Sequence, residues 1–254
     1  MNTQQQEYQF SEQKVLWIQR YSAKLMSFAI ERPKGFRFTA GQFTKLGFFD
    51  GKEYVWRAYS MISPEQADYL AFYVILIEDG VMSLHFNRMR ADDKLLLDNR
   101  SIGFFTLDRV PPGKQLVMLA TGSGIAPFLS MLSEQTLWRK AEKIVLVHSV
   151  SYAQDLVFKE KLAQLTQDVA GHFVYQPVVT RETVEGALSE RILPLLQNGR
   201  LAQTLGFPFT VATTRFLICG NPDMVKDSYE YLKSQGFALH RIHKDGQIMM
   251  EHAF

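Results

Sequence analysis

The segment Arg57-Ala58-Tyr59-Ser60 places a cation, a flat ring and a hydroxyl within four residues. On a β-strand, Arg57 and Tyr59 would lie on one face and Ser60 on the other. A guanidinium suits a pyrophosphate, and an aromatic ring suits stacking on a flavin. Taken by itself, the segment fits an edge strand with an exposed arginine and a half-buried tyrosine better than it fits a cofactor site.

The second candidate is the turn Gly122-x-Gly124-x-x-Pro127, which follows an apolar run. Glycines there let the backbone approach a pyrophosphate, and a helix that starts at Ile125 would point its positive end at that group. A plain strand-to-helix turn is the alternative, because Pro127 replaces the third small residue of the usual dinucleotide fingerprint. The position of the turn at the first strand of an α/β region favours nucleotide binding.

The elements that would hold these residues differ between the two halves of the chain. The first hundred residues predict an antiparallel β-barrel or sandwich, because short segments rich in aromatic and β-branched residues alternate with glycine and proline. One helix is predicted from Met82 to Met89. The strands that this pattern predicts cover residues 43–48, 54–62, 69–77 and 94–98.

From about residue 112 strands alternate with helices, which predicts a parallel sheet covered on both faces. The last helix starts at Asn221-Pro222, with asparagine as N-cap and proline at the first helical position. We place the boundary at Val110-Pro111-Pro112-Gly113, between a β-barrel domain of residues 1–110 and an α/β domain of residues 111–254. The strands predicted here cover residues 114–120, 144–148, 173–179 and 215–219, and the other helices cover 125–138, 155–168 and 191–198.

Composition excludes several classes of function. Cys219 is the only cysteine, so neither an internal disulfide nor a cysteine-held iron–sulfur cluster can form. The histidines show no metal-site spacing, and the formal net charge of +2 does not favour nucleic acid, so neither a metal nor a nucleic acid is expected. Because the polar start lacks a signal peptide and no apolar run approaches the ~20 residues of a spanning helix, we expect a soluble, cytoplasmic protein.

A wider resemblance rests on motifs that are individually unspecific but occur in one fixed order. The motifs are R-A-Y-S at residue 57, Gly80-Val81-Met82-Ser83, A-T-G-S-G-I-A-P, Cys219-Gly220-Asn221-Pro222 and the terminal Glu251-His252-Ala253-Phe254. Together they resemble the ferredoxin–NADP⁺ reductase family, and within it the bacterial ferredoxin or flavodoxin reductases. The resemblance extends from about Val15 to Phe254.

This resemblance implies an N-terminal FAD barrel and a C-terminal NADP(H) domain. Arg57 would hold the FAD pyrophosphate, Tyr59 would stack on the isoalloxazine, and Ser60 would hydrogen-bond near its N5. The remaining residues implied for FAD are Ala58, Tyr73, Val74, Ile75, Leu76, Val81, Met82, Ser83, Ser123, Ala253 and Phe254. Those implied for NADP(H) are Thr121, Gly122, Val150, Ser151, Thr180, Arg181, Arg191, Asn221 and Asp223.

The catalytic residues that the resemblance implies are Ser60, Cys219 and Glu251. Glu251 would deliver a proton or orient Ser60, and Cys219 would border the nicotinamide; a C-terminal surface glutamate and a buried strand cysteine are the alternatives. Ala253 stands where some relatives have an aromatic residue over the flavin, so nicotinamide access should need less displacement. Phe254 would then pack on the adenine side.

One departure from the family concerns the 2′-phosphate of NADP. Relatives commonly carry an arginine where this chain has Ser151, which leaves Arg181 and Arg191 for that phosphate unless both are ordinary solvated surface. No acidic residue occurs from His148 to Ala153, where NAD-selective sites often place one. We therefore expect NADP(H) to be preferred, with weaker discrimination than three cations would give.

The leading hypothesis is an enzyme that exchanges a hydride with NADP(H) and single electrons with ferredoxin or flavodoxin. It would act as a monomer on a small acidic carrier that charge attracts to the flavin. The alternatives are the reductase component of an oxygenase or another electron acceptor, a free-flavin reductase, and a non-catalytic flavin-binding interaction subunit. The candidate docking cations are Lys34, Arg37, Lys45, Arg88 and Arg90.

Overall fold

The computed structural model describes residues 10–252. Within them, the first half of the chain forms a 6-stranded antiparallel sheet. Its strands are β1 (Phe10–Arg20), β2 (Leu25–Glu31), β3 (Phe43–Phe49), β4 (Tyr54–Ser60), β5 (Tyr69–Ile75) and β6 (Lys94–Asp98), and helix α1 (Val81–Arg88) joins β5 to β6. The strand order is β4-β3-β6-β1-β2-β5.

The two edge strands of this sheet meet and close it. Met61, immediately after β4, forms an antiparallel bridge with Phe72 of β5. The backbone N–H of Ile62 donates to the carbonyl of Ala71 at 2.8 Å. These contacts close the sheet into a barrel, which leaves fewer unpaired edge groups, and they hold the end of β4 beside β5.

The second half of the described chain forms a 5-stranded parallel sheet in the order β11-β10-β7-β8-β9. The strands are β7 (Gln115–Thr121), β8 (Lys143–Val150), β9 (Phe173–Val179), β10 (Thr214–Gly220) and β11 (Ile248–His252). The helices are α2 (Ala126–Leu132), α3 (Lys159–Asp168), α4 (Ile192–Gln197), α5 (Arg200–Leu205) and α6 (Pro222–Ser234). An antiparallel β domain followed by a parallel α/β domain confirms the predicted fold class.

A shared apolar core fixes the two domains against each other. Side chains of β7 alternate between two cores, and the core that holds Met118 also contains Tyr73 and Phe105 of the barrel region. The buried Ser130 hydroxyl donates to the Ser63 carbonyl at 2.8 Å across the same interface. The cleft between the domains is therefore bounded by packed walls.

Some predicted elements match the structure, and others differ from it in extent. The predicted strands at residues 94–98 and 173–179 are confirmed to the residue. The helix predicted over 125–138 is wrong in extent: α2 ends at Leu132, because the backbone N–H of Ser133 closes a tighter turn onto Ser130 and residues 137–139 form a separate 3₁₀ turn. Likewise α3 begins at Lys159, since a 3₁₀ turn occupies residues 153–155.

The domain boundary near residue 111 stays a proposal; β6 ends at Asp98 and β7 begins at Gln115, on either side of it. Across residues 10–252, no helix combines the length and the apolar character that crossing a bilayer requires. Nor do these residues gather three histidine, cysteine or carboxylate side chains at distances that would hold a metal ion.

Candidate active site

A cavity of about 430 Å³ lies between the barrel and the carboxyl ends of β10 and β11. The segment Arg57–Ser60 forms part of its wall at the end of β4, and α1 presents its first turn on the same wall. The predicted site residues that line it are Arg57, Ala58, Tyr59, Ser60, Tyr73, Val74, Ile75, Val81, Met82, Ser83, Ser123, Cys219 and Glu251.

Within the β4 wall, Arg57 and Tyr59 offer different chemistry. Arg57 is exposed, and its Nη1 donates to the Trp56 carbonyl at 2.7 Å, which leaves the other guanidinium hydrogens available to an anion. Tyr59 is partly buried, with its ring edge against Phe86 at 5.4 Å between centroids. Burial raises the pKa of the Tyr59 hydroxyl, so the ring is neutral. Ser60 also lines this cavity, although strand alternation alone predicts the opposite face.

The first turn of α1 supplies backbone donors to the same cavity. Gly80 is the N-cap and, among the described residues, no side chain caps the free amides of this turn. The hydroxyl of Ser83 accepts the Ile77 N–H at 2.8 Å and so ties the preceding loop to the helix. A cation, uncapped helix amides and an aromatic wall fit a diphosphate joined to a flat ring.

Cys219 and Glu251 form the far side of the cavity. They are register partners on the parallel strands β10 and β11. Burial raises the pKa of Glu251 to about 8, and burial together with Glu251 raises the pKa of the Cys219 thiol. Glu251 therefore holds a proton through much of the neutral range, and Cys219 is an uncharged thiol.

A second cavity, of about 700 Å³, adjoins the first, since Tyr73 and Ile75 line both. All nine residues predicted for the nicotinamide nucleotide line it, namely Thr121, Gly122, Val150, Ser151, Thr180, Arg181, Arg191, Asn221 and Asp223. Lys24 of the barrel and three carboxylates, Asp155, Asp223 and Asp227, line it as well.

The Gly122 turn at the base of this second cavity needs its glycines. Gly122 has φ +52°, and a Cβ on Gly124 would lie 2.4 Å from the Cys219 carbonyl oxygen. Beside this turn, the Thr121 hydroxyl accepts the Asn221 N–H at 2.8 Å, and the Asn221 side chain caps α6. The turn therefore packs directly against the end of β10.

His148 supports this turn from below and was not predicted from the sequence. It is fully buried in β8, and its Nε2 lies 3.0 Å from the Gly122 carbonyl oxygen. Burial lowers its pKa to about 4, so the imidazole is neutral, and the carbonyl requires the N–H on Nε2. The only available signal was a histidine directly after the apolar run of residues 144–147, a position that ordinarily indicates a core residue.

Two arginines line the same cavity as Ser151. The Arg181 guanidinium lies 5.7 Å from the centre of the Tyr152 ring, and its backbone N–H donates to the Ser151 carbonyl at 3.0 Å. Arg191 precedes α4 and lines the same cavity. The cavity therefore offers two guanidinium groups and the Ser151 hydroxyl.

Among the described residues, one that was predicted for the flavin is not part of the wall of the first cavity. Leu76 does not line it, because its side chain is 8% exposed in the barrel core and its N–H donates to the Lys24 carbonyl at 2.7 Å. The N–H of Leu76 is therefore already bonded, and the expectation that Leu76 offers a backbone group to the flavin stays a prediction. Ala253 and Phe254 lie outside the described residues, and the predictions made for them stay predictions.

Known proteins share both domains and most of this length. Two family models match: the oxidoreductase FAD-binding domain over residues 18–100 and the oxidoreductase NAD-binding domain over residues 118–230. The flavodoxin/ferredoxin–NADP reductase of Escherichia coli (strain K12) is 39% identical over 216 residues, covering 85% of this chain and 86% of that protein. The chain belongs to the flavodoxin/ferredoxin–NADP reductase family.

Other members of this family and solved structures agree. The ferredoxin–NADP reductase of Pseudomonas aeruginosa is 31% identical over 252 residues, covering 95% of this chain and 96% of that one. A ferredoxin NADP⁺ reductase from Neisseria gonorrhoeae, solved with bound FAD and NADP, is 46% identical, with a TM-score of 0.94 over 98% of this chain and all of the other. A flavohemoglobin from Malassezia yamatoensis, 18% identical with a TM-score of 0.76, shows the shared fold alone.

Membership of the flavodoxin/ferredoxin–NADP reductase family confirms the resemblance drawn from the ordered motifs. The two domain types also confirm the predicted class of enzyme, an FAD-dependent oxidoreductase. The roles of individual residues rest on their positions in the two cavities, and we treat those roles as proposals.

Proposed function

We propose that this chain takes a hydride from NADPH onto FAD and passes single electrons to a ferredoxin or a flavodoxin. The observation that carries the proposal is the contact of the two cavities at Tyr73 and Ile75. A ring bound in the first cavity would lie next to a ring that enters from the second. When bound, the flavin supplies the chemistry that converts a two-electron hydride into single electrons.

In this proposal, the barrel holds and orients the flavin. Arg57 and the first-turn amides of α1 bind its pyrophosphate, because cations and uncapped helix amides both favour phosphate. The neutral ring of Tyr59 covers one face of the isoalloxazine, and the contact of Tyr59 with Phe86 fixes the ring plane. Ser60 offers its hydroxyl at the edge of the same ring.

The α/β domain contributes the opposite wall and a proton. Glu251 supplies the proton, since its raised pKa keeps the carboxyl protonated at neutral pH. Cys219 borders the nicotinamide as an uncharged side chain. The Gly122 turn allows the nucleotide backbone to approach, and Arg181 and Arg191 bind the 2′-phosphate.

Preference for NADPH over NADH then depends on two guanidinium groups. Ser151 offers a hydroxyl in place of a third cation, and Asp155, Asp223 and Asp227 add negative charge to the same cavity. A charge-assisted contact is worth about 1.5–3 kcal/mol. We therefore expect NADPH to be the better donor by a smaller ratio than three cations would give.

The proposed partner is a small acidic electron carrier. We propose that this chain acts on it as a monomer in the cytoplasm. Of the candidate docking cations, Lys34, Arg37, Arg88 and Arg90 are exposed, and Lys45 is half-buried. The competing functions are distinguished by their acceptors: an oxygenase component or a free-flavin reductase would turn over without ferredoxin or flavodoxin, and a non-catalytic subunit would bind FAD without being reduced.

The test is rapid anaerobic mixing of the purified yellow protein with NADPH or NADH, followed by a ferredoxin or a flavodoxin as acceptor. We expect bleaching of the flavin absorbance by NADPH, slower bleaching by NADH, and reoxidation by at least one carrier. Flavin that neither nucleotide reduces, or reduced flavin that no carrier reoxidises, would contradict the proposal.

A further inference from the structure

Helix α1 is too short to hold its own position. It spans 8 residues, Val81–Arg88, and isolated helices below about 12 residues are marginal in water. Met82 and Phe86 anchor one face in the barrel core, with Phe86 lying 5.0 Å from the Phe28 ring. The first turn of the same helix lines the first cavity, hereafter the flavin cavity. Any shift of α1 therefore changes that cavity.

The carbonyl end of α1 is held by one side chain of β1. The Nη2 atom of Arg20 donates to the carbonyls of Phe86 at 3.1 Å, Asn87 at 2.9 Å and Met89 at 3.3 Å. Its Nη1 lies 3.4 Å from the Asn87 side-chain oxygen. The Phe86 carbonyl also accepts the N–H of the C-cap Met89 at 3.3 Å. Carbonyls at a helix end lack the intrahelical partners of the interior, and a cation there opposes the negative end of the helix dipole.

The contact of Arg20 with the carbonyl end of α1 is connected to the wall of the flavin cavity in two ways. Phe86 offers its carbonyl to Arg20 and its ring to the edge of Tyr59, which lines the flavin cavity. The first-turn amides, less than two turns away on the same rigid helix, line the cavity next to Gly80. A change at Arg20 would therefore displace both a ring support and the amide donors.

We propose that Arg20 is a positioning residue for the flavin. By fixing α1 relative to β4, Arg20 sets the affinity of the protein for FAD. Arg20 itself does not line the cavity, so it acts through the Phe86 ring and the first turn of the helix. The inference rests on the proposed function, because it takes the first cavity to be the FAD site.

The test compares FAD affinity between apoprotein variants, measured by quenching of flavin fluorescence. Arg20→Gln should raise the Kd for FAD by about tenfold or more, and amides of α1 should exchange hydrogen faster. The matched control is Lys14→Gln, which removes an exposed cation of the same strand that pairs with Asp92 at 2.6 Å. Its Kd should stay within about twofold of wild type, as for an exposed ion pair.

Two further arms separate positioning from general stability. Arg20→Lys keeps the charge on a shorter side chain but loses the second nitrogen, which lies near the Asn87 side-chain oxygen, so an intermediate Kd is expected. This variant serves if Arg20→Gln does not fold. An unchanged Kd for FAD in either variant, whatever the loss in melting temperature, would overturn the positioning role. Failure of wild-type apoprotein to bind FAD at all would instead overturn the proposed function.

Discussion

Glu251 lies in register with Cys219 on adjacent parallel strands, and both residues line the first cavity. Register partners in a parallel sheet project from the same face, so the carboxyl and the thiol share one apolar environment. That environment raises the pKa of Glu251 to about 8. Among residues 10–252, no cation lies within ion-pair distance of Glu251 to reverse this shift.

Glu251→Gln should slow carrier reduction by about 10²-fold, because it removes the proton donor while keeping the shape of the side chain. The FAD affinity should remain unchanged. Single-turnover kinetics with NADPH and a ferredoxin measure this effect. Glu230→Gln, which changes an exposed carboxylate of α6, is the control. Wild-type rates in Glu251→Gln would remove Glu251 from the mechanism.

The same carboxyl should make folding stability depend on pH. Its folded-state pKa, about 8, exceeds the ordinary value of 4.5, so the folded protein retains a proton that the unfolded chain releases. This stabilising contribution is complete below about pH 4.5 and is lost as pH rises through 8. Urea unfolding at pH 5 and pH 8.5 should show a larger loss in wild type than in Glu251→Gln. Equal losses would contradict the pKa shift.

Arg57→Gln should weaken FAD binding by about tenfold to a hundredfold, because one charge-assisted phosphate contact is worth about 1.5–3 kcal/mol. Raising the salt concentration should weaken wild-type binding more than that of the variant. Isothermal titration of apoprotein with FAD gives both numbers. Lys52→Gln, an exposed cation in the turn before β4, is the matched control. Equal affinity of Arg57→Gln and wild type would exclude Arg57 from the phosphate site.

Ser151→Arg should increase the preference for NADPH over NADH by about tenfold or more, because it adds a third arginine to the cavity that Arg181 and Arg191 line. Dissociation constants for NADP⁺ and NAD⁺ separate this effect from changes in turnover. Ser151→Gln adds similar bulk without charge and should leave the ratio near that of wild type. An unchanged ratio in Ser151→Arg would place the 2′-phosphate elsewhere.

His148→Phe should weaken NADP⁺ binding by about tenfold, since it leaves the Gly122 carbonyl without its buried donor. FAD affinity should change less, because neither His148 nor Gly122 lines the first cavity. His172→Gln is the control: His172 also contacts a carbonyl, that of Ala141 at 2.8 Å, but lines neither cavity. Equal NADP⁺ affinities for wild type and His148→Phe would show that the turn is rigid without His148.

Local sequence signals were sufficient to predict elements whose ends are marked by residues such as an N-cap or a proline. The pair Asn221-Pro222 marks the start of α6, because an N-cap and a first-turn proline act within one turn. Helix α5 was not predicted; it is a six-residue segment between Gly199 and Gly206, both with positive φ, and too short to show a period. Strand β11 was not assigned either, since its position depends on pairing with β10, a non-local contact.

The residues of the candidate site divide in the same way, into those with a local sequence signal and those whose role depends on non-local contacts. Nearly all the described residues that the resemblance implied line the two cavities, because most of them stand at strand ends and turns with distinctive local chemistry. His148 and Arg20 were not predicted, because each contacts a backbone carbonyl that is distant in sequence. The bond from the Leu76 N–H to the Lys24 carbonyl was likewise not visible from the sequence, because it joins two segments that are distant along the chain.

The most direct measurement is the absorbance of the protein-bound flavin after anaerobic mixing with NADPH in a stopped-flow instrument. We predict one FAD per chain, bleached within seconds by NADPH and restored when a ferredoxin or flavodoxin is added. A protein that purifies without FAD and does not bind it, or whose flavin NADPH leaves oxidised, would contradict the assignment of the two adjoining cavities to FAD and NADP(H).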